Sequence, residues 1–531
     1  MKAINPILTG FNPDPSIIHV NGNYYIATST FEWFPGVQIH HSKDLVNWRL
    51  LNHALTRKSQ LDMVGNPDSC GVWAPCLTYH SGVYYLIYSN VRSFDGGWKD
   101  TPNFLVTCSD IEKGDWSEPI YLNSCGFDAS LFHDADGRKW YSSMIVDHRG
   151  GKFFGGIILQ EYDTVQQKLV GPRKNIFSGT ALGITEAPHI YYRNGYYYLI
   201  TAEGGTEYNH AVSMARSKDI WGPYEVHPQN PIISSRYNAD AYLQKAGHAS
   251  IIEANNGKWY AAFLVGRPLT KLGRCTLGRE TALAEMEWSS DDWLYQVAGS
   301  CEPLMELDIT GHQEMKWPEN LAFDHFDAPV LSPHYNALRI PITVDWCTLN
   351  ERKSHLRLYG RESLNSFHYQ SLLARRVQHF NFEASTIVEL ASESFQQMAG
   401  LVCYYNTVHY HYLHLSFHEE VNKKMLQIIS CDKGNNSEPL FEPVDITGYV
   451  RIGLKVVVNR ADLQFYYSLD EIEWLKIGPI LDFSILSDDY IQNDKGKYRP
   501  AFTGAFVGIN CIDLTGAHIP ADFDWFKYEG Y

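Results

Sequence analysis

Five times by residue 260 the chain turns on an Asn-Gly, Asp-Gly or Ser-Gly pair and runs straight into aromatic residues. The segments are Asn21-Gly22-Asn23-Tyr24-Tyr25, Ser81-Gly82-Val83-Tyr84-Tyr85, Asp136-Gly137-Arg138-Lys139-Trp140-Tyr141, Asn194-Gly195-Tyr196-Tyr197-Tyr198 and Asn256-Gly257-Lys258-Trp259-Tyr260. Each reads as a hairpin turn feeding an aromatic strand. The five glycines stand 60, 55, 58 and 62 residues apart, and periods of that size belong to propellers, solenoids or arrays. Strand-rich units with almost no helical periodicity favour a propeller, whose four-stranded blades ring a central channel and leave no long sheet edge open. Five units predict five blades. Echoes of an outer strand support them: Ser42-Lys43-Asp44-Leu45 with Trp48, Ser109-Asp110-Ile111 with Trp116, and Ser217-Lys218-Asp219-Ile220-Trp221.

The blade pattern stops between Cys301 and Pro318. After Phe323-Asp324-His325-Phe326-Asp327 a different series of alternating strands runs to residue 531, as in a β-sandwich. The expected fold is therefore all-β: a five-bladed β-propeller over residues 1–310, a linker over 311–322 and a β-sandwich over 323–531. A formal net charge of -16 without a block of like charges argues against a nucleic acid or an anionic membrane as partner and points to a neutral ligand. No apolar signal region follows Met1 and Lys2, and no stretch reaches eighteen apolar residues, so a cytoplasmic location is expected. Ten cysteines without a C-x-x-C pair read as reduced, mostly buried thiols. His409, Tyr410, His411 and His414 read as a polar sheet face rather than a metal site, since no acidic or cysteine partner sits at ligand spacing.

Eight or nine residues before each repeated glycine stand Asp14, Trp73, Asp128, Glu186 and His248. Their contexts also match: Pro13-Asp14-Pro15-Ser16, Trp73-Ala74-Pro75, Asp128-Ala129-Ser130, Glu186-Ala187-Pro188 and His248-Ala249-Ser250. Equivalent positions in a propeller lie at equal distance from its axis, so three carboxylates, a Trp and a His should converge on one end of the channel. Like charges at close range raise one another's pKa. Glycoside hydrolysis needs such a pair, one carboxyl kept protonated near neutral pH and a second on the opposite side of the sugar ring.

These segments, beginning with Asn5-Pro6-Ile7-Leu8-Thr9-Gly10-Phe11-Asn12-Pro13-Asp14-Pro15-Ser16, resemble the two-domain β-xylosidases of glycoside hydrolase family 43 along essentially the whole chain. The resemblance implies Asp14 as general base, Glu186 in Thr185-Glu186-Ala187-Pro188 as general acid, and Asp128 in Phe127-Asp128-Ala129-Ser130 as the residue that tunes the acid. It implies inversion at the anomeric carbon, with Asp14 and Glu186 roughly 6.5 to 9.5 Å apart. Phe31 and Trp73 resemble the walls around the terminal sugar, Arg279 an arginine reaching its hydroxyls, and Phe506 in Phe502-Thr503-Gly504-Ala505-Phe506 a side chain that closes the pocket and makes the enzyme exo-acting. His248 would lie beneath the site, where some relatives hold a hydrated calcium ion; no cofactor is required, and a lone histidine is a poor calcium ligand. One departure stands out. Ile145-Val146-Asp147-His148-Arg149 has valine where the family pattern has tryptophan, which would widen the pocket.

The expected substrates are short xylo-oligosaccharides, cut to release xylose, and the resemblance points to a homo-oligomer, with a tetramer among the forms. Three alternatives stay open: an α-L-arabinofuranosidase or bifunctional enzyme, a non-catalytic sugar-binding propeller, and a protein-interaction propeller.

Overall fold

The computed structural model describes residues 1–93, 98–318, 322–494 and 497–531; residues 319–321 of the expected linker lie outside that set. The chain divides into two compact units, one of Met1–Arg267 with Arg279–Trp317, the other of Pro268–Gly278 with Pro318–Tyr531. Residues 268–278 thus interrupt the stretch read as propeller and cluster with the second unit.

The first unit is the five-bladed propeller. Its inner strands are Ser16–Val20, Cys76–His80, Ser130–His133, Glu186–Arg193 and Gln244–Glu253. In each blade the following strands pair outward in chain order, as in Ser16–Val20, Asn23–Thr28, Gly36–Ser42 and Arg49–Leu55 of the first. The repeated turns are of two kinds. At Asn21-Gly22, Ser81-Gly82 and Asn194-Gly195 both residues are left-handed, which suits the twist of a two-residue hairpin. In the third and fifth blades the loop is a residue longer, closed by Asp134 N–H to Arg138 O and by Ala254 N–H to Lys258 O, and only the glycine is left-handed.

Apolar side chains from adjacent sheets fill the spaces between blades. Tyr25, Ala27 and Ile39 meet Leu86, Tyr88 and Val106; Cys76, Ile87 and Leu105 meet Leu131, Tyr141 and Ile158; Ile17, Tyr24 and Ile26 meet Tyr260, Ala262 and Leu283. Each large side chain so buried contributes about 1.5–3 kcal/mol. Three serines two residues beyond Asp14, Asp128 and His248 staple the inner strands. Ser16 Oγ accepts from Leu77 N–H (2.9 Å), Ser130 Oγ donates to Pro188 O, and Ser250 Oγ donates to Pro15 O (3.0 Å) while accepting from Ile17 N–H (2.8 Å).

The ring closes through the first dozen residues. Lys2–Ile4 pairs with Glu306–Asp308, Asn5 exchanges two 2.8 Å hydrogen bonds with Leu283, and Asn12 N–H donates to Arg279 O at 2.9 Å.

The second unit is a sandwich of two antiparallel sheets, of eight and seven strands. A buried row of Leu373, Ile509, Leu401, Leu413 and Ile428 crosses five strands of one sheet. His409, His411 and His414 do not form the polar face expected of them: all three are buried in the strand His409–His418. His411 is bonded to Ser430 Oγ (2.8 Å) and Asp482 O (3.1 Å), and Asp432, far away in sequence, lies 3.7 Å from His409 Nε2.

Candidate active site

Backbone geometry marks the inner-strand positions before any side chain is considered. Asp14, Asp128 and His248 have φ of 56°, 52° and 45°, and in the fourth blade the left-handed residue is Ala187 (49°), next to Glu186. For a residue with a Cβ this conformation costs roughly 1–2 kcal/mol, and such strain gathers where side chains must be aimed. In the second blade Gly71 does the work ahead of Trp73. Its φ is 91°, and a Cβ there would sit 2.3 Å from Phe31 O. The close approach lets Phe31 and Val72 exchange backbone hydrogen bonds of 2.9 and 3.0 Å, tying the first blade to the second at the site.

The side chains converge as the repeat predicts. Ser29 Oγ donates to Asp14 Oδ2 at 2.6 Å, leaving Oδ1 facing Arg279 Nη1 and His248 Nδ1, each 3.7 Å away. Arg279, almost wholly buried, donates to Thr206 Oγ1 (2.6 Å), and its guanidinium carbon lies 5.3 Å from the Phe31 ring centre. Phe31 leans on Trp73 (6.2 Å between ring centres), and Trp73 meets the edge of Phe127 (4.8 Å) while donating its indole N–H to Ser69 O (3.0 Å). Apolar walls thus stand beside a cluster of carboxylates and one arginine.

Burial is the main influence on the carboxyls. It lifts Glu186 to about 7, helped by the charge of Asp14 and opposed by Lys99 and Arg279. Asp128 is pushed well above the usual carboxylate range by burial, then by Glu186 and Asp14, with Arg279 opposing. Both carboxyls are thus held protonated to higher pH than an ordinary carboxylate. Burial also holds His189, His210 and His248 below the ordinary histidine value.

Residues 3–294 match the model of glycosyl hydrolases family 43, and residues 323–529 that of the β-xylosidase C-terminal concanavalin A-like domain. The chain belongs to glycosyl hydrolase family 43. A β-xylosidase of Bacillus subtilis (strain 168) is 50% identical over 543 residues, covering 100% of both chains. A xylosidase/arabinosidase 43B of Humicola insolens is 49% identical, covering 99% of this chain and 97% of its own. The crystal structure of a xylan β-1,4-xylosidase from Bacillus halodurans C-125 superposes with a TM-score of 0.96 at 51% identity, over 99% of this chain and 100% of that one.

In this family 43 glycoside hydrolase the structure brings Asp14, Phe31, Trp73, Asp128, Glu186, His248 and Arg279 to one end of the propeller. Phe506 stands in the second unit, where it opens the strand Phe506–Asp513, fully buried, with the Arg376 guanidinium 5.3 Å from its ring centre. The ionisable groups around His248 include His189, His210, Arg279 and one Asp14 oxygen. Calcium takes about six to eight oxygen ligands, and this donor set does not fit an ion held by protein ligands. Among the described residues one group of ligand-type atoms lies close together, Cys275, Asp488 and Asp489 of the second unit. Asp489 there accepts the Cys275 N–H at 2.9 Å, an anchor for the 268–278 segment.

Sequence reasoning missed Glu203. It is fully buried beside the Glu186 segment, where its carboxylate accepts from Thr180 N–H (2.9 Å), Thr180 Oγ, Thr185 Oγ (2.8 Å) and Ser213 Oγ (2.8 Å). The available signal was a carboxylate ending the otherwise apolar and aromatic strand Tyr196–Glu203. Glu203→Ala strands these buried donors and is expected to destabilise the enzyme by about 3 kcal/mol; an unchanged denaturant midpoint would show that the network carries no load.

Proposed function

We propose that the enzyme is an exo-acting, inverting β-xylosidase that releases xylose from the non-reducing end of short β-1,4-xylo-oligosaccharides. The observation that carries the reading is the division of labour among the carboxyls. Glu186, raised to about 7, is able to give a proton to the leaving oxygen near neutral pH. Asp14, hydrogen-bonded by Ser29 and faced by Arg279, is suited to take one from water. Asp128, close enough to Glu186 to feel its charge, is the residue that tunes the acid. As bond breaking develops positive charge on the sugar ring, carboxylate charge beside it stabilises that charge. Phe31 and Trp73 supply the apolar wall for the terminal sugar and Arg279 its hydroxyl contact.

The relatives named β-xylosidase and xylan β-1,4-xylosidase support the substrate class. The xylosidase/arabinosidase from Humicola insolens supports a second reading in which arabinofuranosides are also cut. Xylotriose and an aryl α-L-arabinofuranoside, incubated separately with the enzyme, discriminate the two. Xylose with xylobiose as first products is the expected result; arabinose alone moves the assignment to the sister activity. In the same reaction followed by proton NMR, α-xylose should precede its β anomer, and β-xylose first would refute inversion.

A further inference from the structure

We propose that Trp98 is the platform on which the leaving sugar stacks, and that it sets the preference for an oligosaccharide over a small glycoside. The proposal rests on the hydrolase reading above and adds a residue to it.

Among the described residues Trp98 is the one exposed tryptophan, 75% accessible, while the other thirteen are buried or half-buried. It is not a stray side chain. One face of its indole stacks on His148, with ring centres 4.0 Å apart and planes at 26°, leaving the other face open to solvent. His148 in turn sits on a braced connection: Asp147 N–H donates to Phe153 O (2.9 Å), and Arg149 Nε donates to Asp147 Oδ1 (2.8 Å).

The two connections that meet here leave the blades at the carboxylate end. Trp98 lies between strands Val83–Val91 and Asn103–Cys108, and Asn90 pairs with Val72, the residue before Trp73. His148 lies between Lys139–Val146 and Phe154–Asp163, and Ser142 pairs with Ser130, so Asp128 is level with the end of its neighbour that leads to Asp147.

The side of the site is also fixed. Lys99, the next residue, acts electrostatically on Glu186, and its Nζ lies 5.3 Å from the Phe153 ring centre. Phe153 neighbours Phe127 at 6.1 Å, and Phe127 touches Trp73. An aromatic path therefore runs from the pocket wall to the Trp98 connection, on the flank of the proton donor. Because the acid delivers its proton to the bridging oxygen, the departing sugar must lie on that flank and not on the side of the water. A flat, rigid, amphipathic ring with one free face is what the C–H face of a pyranose stacks against.

The test is Trp98→Ala and Trp98→Phe, each assayed on xylobiose and on methyl β-xyloside, with inhibition by free xylose as a report on the terminal-sugar pocket. For Trp98→Ala, kcat/KM on xylobiose should fall about tenfold more than on methyl β-xyloside, chiefly through KM. Trp98→Phe should recover most of that loss, and the xylose inhibition constant should not move. Equal losses on both substrates, or unchanged xylobiose kinetics, would overturn the assignment. Wild-type enzyme that releases no xylose from xylobiose would defeat the hydrolase reading itself, and the platform with it.

Discussion

Glu186→Gln lowers kcat on xylobiose about a thousandfold, while an aryl β-xyloside with an acidic phenol as leaving group loses far less. The amide keeps the shape of the acid and has no proton to give. A sugar alkoxide cannot depart without one; a phenolate can. Equal losses on the two substrates would remove Glu186 from the acid's role. The wild-type pH profile carries the same information. A carboxyl lifted to about 7 is protonated below that value, so kcat/KM should fall on the alkaline side as the proton is lost, and in Glu186→Gln that limb should vanish. Stability moves with it. The native state holds this proton between about 4.5 and 7 where the unfolded chain has released it, so stability is greatest below the lower value and declines as pH rises through the upper one. Glu186→Gln removes this group's part of that decline and should melt no lower than wild type at pH 8, which separates a catalytic defect from a folding one.

Asp14→Ala should also lose about a thousandfold or more, but by a similar factor on both substrates, because water must be activated whatever leaves. The substitution removes the acceptor of the Ser29 hydroxyl and the carboxylate facing Arg279 and His248. It also removes one of the charges that raise Glu186, so any residual activity should show its alkaline limb shifted to lower pH. A loss confined to the aryl substrate, or a limb that stays where it was, would contradict the role given to Asp14. The leaving-group dependence of the two variants thus tells acid from base in one set of assays.

The propeller was legible because its turns repeat with so little variation, and because one strand back from each turn the chain carries a polar or aromatic residue in a fixed context. That register located Asp14, Trp73, Asp128, Glu186 and His248. Arg279 and Phe31 lie off the register and came only through family resemblance; their places depend on contacts to Thr206 and Val72 that join distant segments. Ser29 was invisible for the same reason, and Glu203 showed only as a carboxylate ending an aromatic strand, since such a group gains its meaning from what folds against it. The histidines of the sandwich were misread for the converse reason. Alternation along the strand suggested a polar face, yet burial at 1–4% exposure follows from what packs over the sheet, which no local pattern records. Residues 268–278 fall within the span assigned to the propeller, yet they cluster with the second unit.

Selection for heat resistance alone would work against this enzyme. Asp14, Asp128 and His248 hold the chain in a conformation that glycine or asparagine adopts with less penalty, and Asp128 adds a carboxylate crowded by two others. Asparagine at 128 relieves the repulsion and keeps the backbone. A library ranked only by melting temperature should therefore enrich inactive propellers, with substitutions concentrated where the inner strands begin, and a thermostable working enzyme is to be sought among changes at the outer strands, screened together with sugar release.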